Sequence, residues 1–167
     1  FMNRNGEFTV NIALIEDRHP VLGVVHAPDR QLSFTGCIST GATRQEGDGP
    51  SNKITVRTPP SQGLTVVASR RHGSNSEIEK FLNGRTVKNQ ITGGSSLKFC
   101  VVASGEADLY PRFGPTMEWD TAAGHAVLSA AGGSITTPKG EDFLYRKPDF
   151  LNSHFIAWGG LRPNETA

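Results

Sequence analysis

Three short polar clusters have residue types and spacings that suit an anion site beside a metal ion. In the first, residues 118–124 (EWDTAAG), Asp120 is expected at the N-cap of an alanine-rich helix. An aspartate there accepts backbone N–H groups and contributes about 1 kcal/mol, so capping alone explains it. The small residues that follow also let a ligand or a neighbouring backbone approach the helix start, where free N–H groups favour phosphate. Asp120 is therefore a candidate for capping, for cation binding, or for both.

The other two clusters supply positive charge and hydroxyl groups. Residues 93–98 (GGSSLK) form a glycine-rich turn that opens a predicted helix, with Ser95 in the turn and Lys98 one turn in. Such a turn is equally well explained as a plain turn between two elements, with a serine that caps the following helix. Residues 69–72 (SRRH) end a predicted strand, the place where α/β folds bind ligands. Arg112 ends another predicted strand. Individually, His72 and these arginines are explained as solvated surface charges, but together with Ser95 and Lys98 they have the chemistry of a phosphate site next to the Asp120 carboxylate.

The elements that must position these clusters follow from periodicity. Apolar and polar residues alternate over residues 8–14, and an apolar run at 21–25 returns after a polar turn, which predicts an antiparallel hairpin. A weaker hairpin is expected at 31–34 and 41–45, and residues 46–62 have the Gly, Pro and Ser content of a linker. From residue 64 the pattern predicts an α/β layer. Its helices are expected at 76–82, 95–104 and 121–131, and its strands at 64–69, 85–91, 107–112, 134–137, 143–146 and 154–158.

Composition narrows the class of protein. Hydrophobic residues make up 36% and charged residues 20%, and the net charge of +1 argues against a nucleic-acid-coating surface. No apolar run is long enough for a transmembrane helix. Cys37 and Cys100 lie far apart without a CxxC pair, which suits a reducing cytosol, and the five histidines lack zinc-enzyme spacing. The abrupt start at Phe1 predicts that the chain is part of a longer protein.

Four segments of the chain carry a resemblance to a known family. They are NGEFTVNIAL at 5–14, GSSLKFC at 94–100, ADLYPR at 107–112 and WDTAAG at 119–124. Together they resemble the CysQ branch of the 3′(2′),5′-bisphosphate nucleotidases, within the lithium-sensitive inositol monophosphatase superfamily. The fold implied is α/β, a layered αβαβα sandwich. Residues 1–62 would belong to its large antiparallel sheet, and residues 63–167 to its C-terminal α/β lobe.

The resemblance also implies roles for individual residues. Asp120 would be a ligand of the second metal ion and lie near the nucleotide, while His72, Ser95, Lys98 and Arg112 would hold the nucleotide and its phosphates. Two or three Mg²⁺ ions are expected per complete enzyme. The remaining metal ligands and the groups that position the attacking water are expected upstream of Phe1, so no catalytic residue is assigned within the 167 residues. Arg71 replaces a small residue common in related sequences, which affects the expected orientation of His72.

The function implied is magnesium-dependent hydrolysis of the 3′-phosphate of adenosine 3′,5′-bisphosphate in sulfur assimilation, with phosphoadenosine phosphosulfate as a further substrate to test. The 167 residues alone are expected to be nearly inactive. Three alternatives stay open: an inositol or fructose phosphate phosphatase, a non-catalytic nucleotide-binding module, and a structural α/β domain. The expected partner is a small nucleotide rather than a nucleic acid. The expected location is the cytoplasm, with the cytoplasmic face of the inner membrane as an alternative. The sequence leaves the oligomeric state open.

Overall fold

A computed structural model describes residues 8–69 and 75–161 and contains two five-stranded sheets. The first sheet is an antiparallel meander in which each strand pairs with the next along the chain. Its strands are β1 Val10–Glu16, β2 His19–Ala27, β3 Leu32–Cys37, β4 Gly41–Glu46 and β5 Asn52–Ile54. The two predicted hairpins are confirmed.

The β1–β2 hairpin turns at Asp17 and Arg18, which both have positive φ, the conformation that matches the twist of a two-residue hairpin. The alternation of β1 is also confirmed, but its large apolar side chains, Val10, Ile12 and Leu14, lie on the exposed face. The half-buried face instead carries small and polar residues such as Asn11 and Ala13. This reversal has a physical reason, because a helix packs closely against that side of the sheet.

The second sheet has strand order β7-β6-β8-β10-β9 and mixes directions. β6 runs parallel to both of its neighbours, whereas β10 is antiparallel to β8 and β9. The strands are β6 Leu64–Ser69, β7 Val87–Gly93, β8 Leu109–Arg112, β9 Ser134–Thr136 and β10 Phe155–Trp158. The strand predicted at 143–146 is wrong: Phe143 and Tyr145 alternate inwards because both are buried in the core, but the segment joins neither sheet.

Three helices complete the layers: α1 Asn75–Leu82, α2 Leu97–Ala103 and α3 Glu118–Ala130. α2 and α3 lie between the two sheets, α3 against the first and α2 against the second. Phe81 and Leu82 of α1 pack on the opposite face of the second sheet. The described residues thus form a sheet, a helix pair, a sheet and a helix. Among them, no helix is both long and apolar enough to cross a bilayer.

A glycine notch, formed by Gly23 of β2 and Gly36 of β3, receives α3. The two glycines face each other directly in the register of the first sheet. A Cβ on Gly23 would lie 2.7 Å from the Ala126 side chain, and one on Gly36 would lie 2.5 Å from Cα of Val127. Real Cβ atoms do not approach so closely, so the backbone of α3 sits on the sheet where side chains are missing.

The segment between the sheets is more ordered than its composition predicts. Residues 46–62 have the composition of a linker, but β5 lies within this segment and extends the first sheet. Further along, Arg57 makes two hydrogen bonds to the buried Asp108 carboxylate, at 2.8 and 2.7 Å. The same carboxylate accepts the N–H of Thr65 at 2.7 Å. The connection is therefore fixed to the second sheet, and the boundary at residue 62 stays a prediction.

Candidate functional site

A polar pocket of about 340 Å³ opens between the start of α2, the end of β8 and the start of α3. It brings together four residues singled out in the sequence: Ser95, Lys98, Arg112 and Asp120. Its other lining residues are Ser96, Phe99, Tyr110, Pro115, Thr116, Thr121 and Phe155. The pocket therefore joins two cations and a carboxylate that belong to three different elements, α2, β8 and α3.

Asp120 is in the first turn of α3, but it is not the N-cap as predicted. The helix begins at Glu118 with Met117 as the N-cap, which makes Asp120 the third helical residue. Oδ2 of Asp120 accepts the Met117 N–H at 2.9 Å, and the Asp120 N–H is donated back to the Met117 carbonyl. This is the N3 side of a capping box, so the carboxylate still caps the helix. Among the described residues, Oδ1 receives no hydrogen bond and is available at the pocket.

Contacts from outside the helix explain why α3 begins three residues early. The Glu118 carboxylate accepts the backbone N–H groups of Arg146 and Lys147 at 2.9 Å each and pairs with the Lys147 ammonium at 2.6 Å. The Glu118 N–H is donated to the carbonyl of Phe150. These interactions fix the start of α3 to the 146–150 loop, and no periodicity in residues 118–120 reveals them.

Lys98 is nearly buried and is held by the turn that precedes α2. Its Nζ donates to the Ser95 carbonyl at 2.7 Å and lies 5.3 Å from the centroid of the Tyr110 ring. The turn itself differs from the predicted helix start, because Ser95 has φ +47 and α2 begins only at Leu97. The left-handed residue turns the Ser95 carbonyl towards the ammonium group, so the charge is placed at the wall of the pocket.

Arg112 also lines the pocket and is also nearly buried. Its Nη2 donates to the Pro115 carbonyl at 3.2 Å. Tyr110, a buried residue of β8, lines the same pocket. Burial raises the pKa of Tyr110 above its ordinary value, with smaller opposing effects of Arg112, which lowers it, and Asp120, which raises it. The phenol is therefore a neutral part of the pocket wall.

A buried hydrogen-bond network stands behind the Thr116 and Thr121 side of the pocket. The Asn152 amide donates to the hydroxyl oxygens of both threonines at 3.1 Å, and the Tyr145 hydroxyl donates to Thr121 at 3.3 Å. Nδ1 of His125 hydrogen-bonds the Tyr145 hydroxyl at 3.0 Å. Burial lowers the pKa of His125 to about 3, with a smaller contribution from His19, so this imidazole is neutral.

The three sequence clusters differ in how many of their residues line the pocket. Arg70, Arg71 and His72 of the third cluster lie outside the described residues, so the predicted role of His72 stays a prediction. Tyr110, Thr116, Thr121 and Phe155 line the pocket without having been singled out, since uncharged residues carry no local signal of a site. Gly124, one of the small residues after Asp120, leaves room for a side chain of α2. A Cβ on Gly124 would lie 2.5 Å from the ring of Phe99.

The pocket fits Mg²⁺ as a partial site. Asp120 offers one unbonded carboxylate oxygen, the kind of ligand that hard cations prefer. Within residues 8–69 and 75–161, no group of three or more histidine, cysteine, aspartate or glutamate residues could hold a metal ion. Among the described residues that line the pocket, Asp120 is the one carboxylate, so its role as a metal ligand stays a prediction.

The chain belongs to the inositol monophosphatase family, which it matches over residues 1–164. It is 46% identical over 158 residues to the 3′(2′),5′-bisphosphate nucleotidase CysQ of Escherichia coli (strain K12), a match covering 93% of this chain and 61% of that protein. The crystal structure of CysQ from Bacteroides thetaiotaomicron superposes with a TM-score of 0.86 at 38% identity, covering 97% of this chain and 66% of that one. An inositol monophosphatase from Anabaena (Nostoc) sp. PCC 7120 gives a TM-score of 0.77 at 25% identity, covering 98% and 64%.

These similarities confirm the expected family and the α/β fold with two sheets. The chain spans about three fifths of the length of the E. coli relative, 61%, and 66% of the Bacteroides structure.

Proposed function

We propose that this chain contributes the nucleotide-binding pocket of a magnesium-dependent phosphatase that removes the 3′-phosphate from adenosine 3′,5′-bisphosphate. One observation carries the proposal: Lys98, Arg112 and Asp120 converge on one pocket in a chain of this family. The name of the E. coli relative, a 3′(2′),5′-bisphosphate nucleotidase, supports this substrate class. Phosphoadenosine phosphosulfate and a place in sulfur assimilation belong to the same proposal.

The two cations would bind and orient the phosphate groups. Lys98 and Arg112 are both nearly buried, so their charges act on a ligand with less solvent screening than surface charges do. Arg112 presents a planar fork that can make paired hydrogen bonds to phosphate oxygens, while Lys98 acts as a point charge. The Thr116 hydroxyl, which accepts from Asn152, would donate its own hydrogen to a phosphate oxygen.

Asp120 would hold Mg²⁺ through its available oxygen, as one of several ligands of the ion. When bound, Mg²⁺ lowers the pKa of a water molecule and neutralises charge on the phosphate. Asp120 would position the Mg²⁺ ion near Lys98 and Arg112, the side chains that would bind phosphate. Its second oxygen keeps the helix capped. Since one carboxylate binds Mg²⁺ weakly, we expect the 167 residues alone to have almost no phosphatase activity.

Calorimetric titration of adenosine 3′,5′-bisphosphate into the chain tests the proposal. Replacing Lys98 by Met keeps the length of the buried stem and removes the charge, and a charged hydrogen bond contributes ~1.5–3 kcal/mol, so affinity should fall at least about tenfold. Lys88→Met is the matched control, because Lys88 is exposed and its ammonium group donates to the exposed side chain of Gln62. Equal affinity of both variants and the unsubstituted chain would contradict the proposed site.

A second substrate class requires a direct comparison, because an inositol monophosphatase shares the fold at 25% identity. Titration of inositol 1-phosphate under the same conditions separates the two. If inositol 1-phosphate binds more tightly, the proposed substrate becomes an inositol phosphate, and the proposed binding residues stay the same. A cytoplasmic location, or one on the cytoplasmic face of the inner membrane, stays a prediction.

A further inference from the structure

Four side chains join the start of the first sheet to the turn before α2. The Thr9 hydroxyl lies 2.6 Å from the Ser95 hydroxyl and 2.8 Å from the Ser96 hydroxyl. Asn11 completes the cluster: its Oδ1 accepts from Ser96 at 2.6 Å and its Nδ2 donates to Thr9 at 3.3 Å. Thr9 and Asn11 are two positions apart and so lie on the same face of the chain as it enters β1.

The direction of each hydrogen bond in this cluster follows from counting hydrogens. Each hydroxyl group has one hydrogen, and that of Ser96 is given to Asn11. The Thr9 hydrogen must then be given to Ser96, and the Ser95 hydrogen must be given to Thr9. Thr9 therefore donates once and accepts twice, and every donor of these three hydroxyl groups is used.

The cluster fixes Ser95, and the carbonyl of Ser95 in turn holds the ammonium group of Lys98. Ser95 has φ +47, a left-handed conformation that costs a residue with a side chain on the order of 1 kcal/mol and persists only where its surroundings impose it. Its carbonyl accepts from Nζ of Lys98 at 2.7 Å. Thr9, which directly precedes β1, contacts the side chain of this same residue. A contact from the start of the first sheet thus acts on the Lys98 ammonium group through Ser95.

We infer that Thr9 is a positioning residue of the anion pocket: through Ser95 and Ser96 it fixes the turn that places the Lys98 ammonium group. This inference rests on the proposed function, since the ligand it concerns is the nucleotide phosphate. Thr9 itself does not line the pocket, so its effect on binding acts through the turn.

The test compares adenosine 3′,5′-bisphosphate affinity across three variants of the chain. Thr9→Val has the same shape as threonine without the hydroxyl. We expect the effect at the Lys98 ammonium group to equal that of about one hydrogen bond, ~0.5–1.5 kcal/mol, so nucleotide binding should weaken about two- to tenfold. Thr9→Ser keeps the hydroxyl and should bind within about twofold of the unsubstituted chain. Thr43→Val is the matched control, because Thr43 makes a similar 2.7 Å hydroxyl contact, with Thr35, on the exposed face of the first sheet.

A second readout does not depend on the nucleotide. In ¹⁵N-edited NMR spectra of the free chain, Thr9→Val should shift the backbone amide signals of residues 95–98, while Thr43→Val should leave them in place. Unchanged signals would overturn the inference. Tighter nucleotide binding by Thr9→Val would also overturn the inference. It would mean that the Ser95 hydroxyl, which donates to Thr9 in the unsubstituted chain, donates to the phosphate once the Thr9 hydroxyl is removed. Lack of binding by the unsubstituted chain would instead count against the proposed function, and the amide signals would still decide whether Thr9 fixes the turn.

Discussion

At the scale of single residues, Asp120 divides its carboxylate between two tasks. Oδ2 caps α3 at Met117, and Oδ1 is available at the pocket. Asp120→Ala should lose both tasks, and the lost cap should lower the free energy of unfolding by about 1 kcal/mol. Asp120→Asn keeps an oxygen acceptor for the Met117 N–H and should retain most of that stability.

The effect on metal binding, in contrast, should be the same in the two variants. Both lack the negative charge, so Mg²⁺ should no longer strengthen nucleotide binding in either of them. Urea unfolding measures the first effect, and titration with and without Mg²⁺ measures the second. If Mg²⁺ strengthens nucleotide binding in Asp120→Asn as much as in the unsubstituted chain, Asp120 is not a metal ligand.

His125 gives the stability of the protein a pH dependence. Burial lowers its pKa from 6.5 to about 3, so between these values the unfolded chain binds a proton that the folded chain does not. Lowering the pH below 6.5 should therefore destabilise the fold, by up to ~1.4 kcal/mol per pH unit from this residue. His125→Asn should flatten this part of the profile of unfolding free energy against pH. His154→Asn, at an exposed position, is the control, and equal slopes for both variants would contradict the argument.

Charged residues of the pocket could be predicted from sequence, and most neutral ones could not. Lys98 follows a glycine-rich turn, Arg112 ends a predicted strand, and Asp120 opens a predicted helix with small residues after it, three patterns that point to a site. Thr9 carries no such pattern, because its role depends on the approach of residues 86 and 87 positions away along the chain. Such partners become visible only when the two sheets and the helices between them are assembled.

At the scale of elements, the contact between α2 and α3 depends on Gly124. Any larger residue would place a Cβ within 2.5 to 2.8 Å of Phe99, so Gly124→Ala should cost roughly 1–3 kcal/mol of unfolding free energy. Gly114→Ala is a suitable control, since its nearest contacts would be ordinary ones at 3.6 Å and the backbone there needs no positive φ. Chemical unfolding of both variants checks the prediction, and equal stabilities would contradict it.

The elements predicted best are those whose periodicity is decided locally. Both hairpins, the β6 strand and the end of α3 follow from alternation and from turn residues. β5 was missed because it is only three residues long and its neighbours have the composition of a loop. The strand predicted at 143–146 was wrong because alternate burial arises there from core packing without strand pairing.

At the scale of the whole molecule, both sheets contribute to one core. Val25 and Phe34 of the first sheet belong to the same cluster of buried side chains as Val67 and Phe155 of the second. We therefore expect a single unfolding transition, with equal calorimetric and van't Hoff enthalpies, rather than separate melting of residues 1–62 and 63–167. Two resolved transitions in scanning calorimetry would contradict this expectation.

The glycine notch has a consequence for which ligands the pocket can accommodate. Because the α3 backbone rests on Gly23 and Gly36, the helix has no room to slide or roll towards the first sheet. Asp120 thereby lies at the start of a helix whose backbone cannot move towards the first sheet. Among the described residues, the irregular chain in the walls of the pocket, at residues 94–96 and 113–117, is where a bulkier ligand can gain space. Tolerance for substrates of different size should therefore evolve through these two loops, while the carboxylate stays where it is.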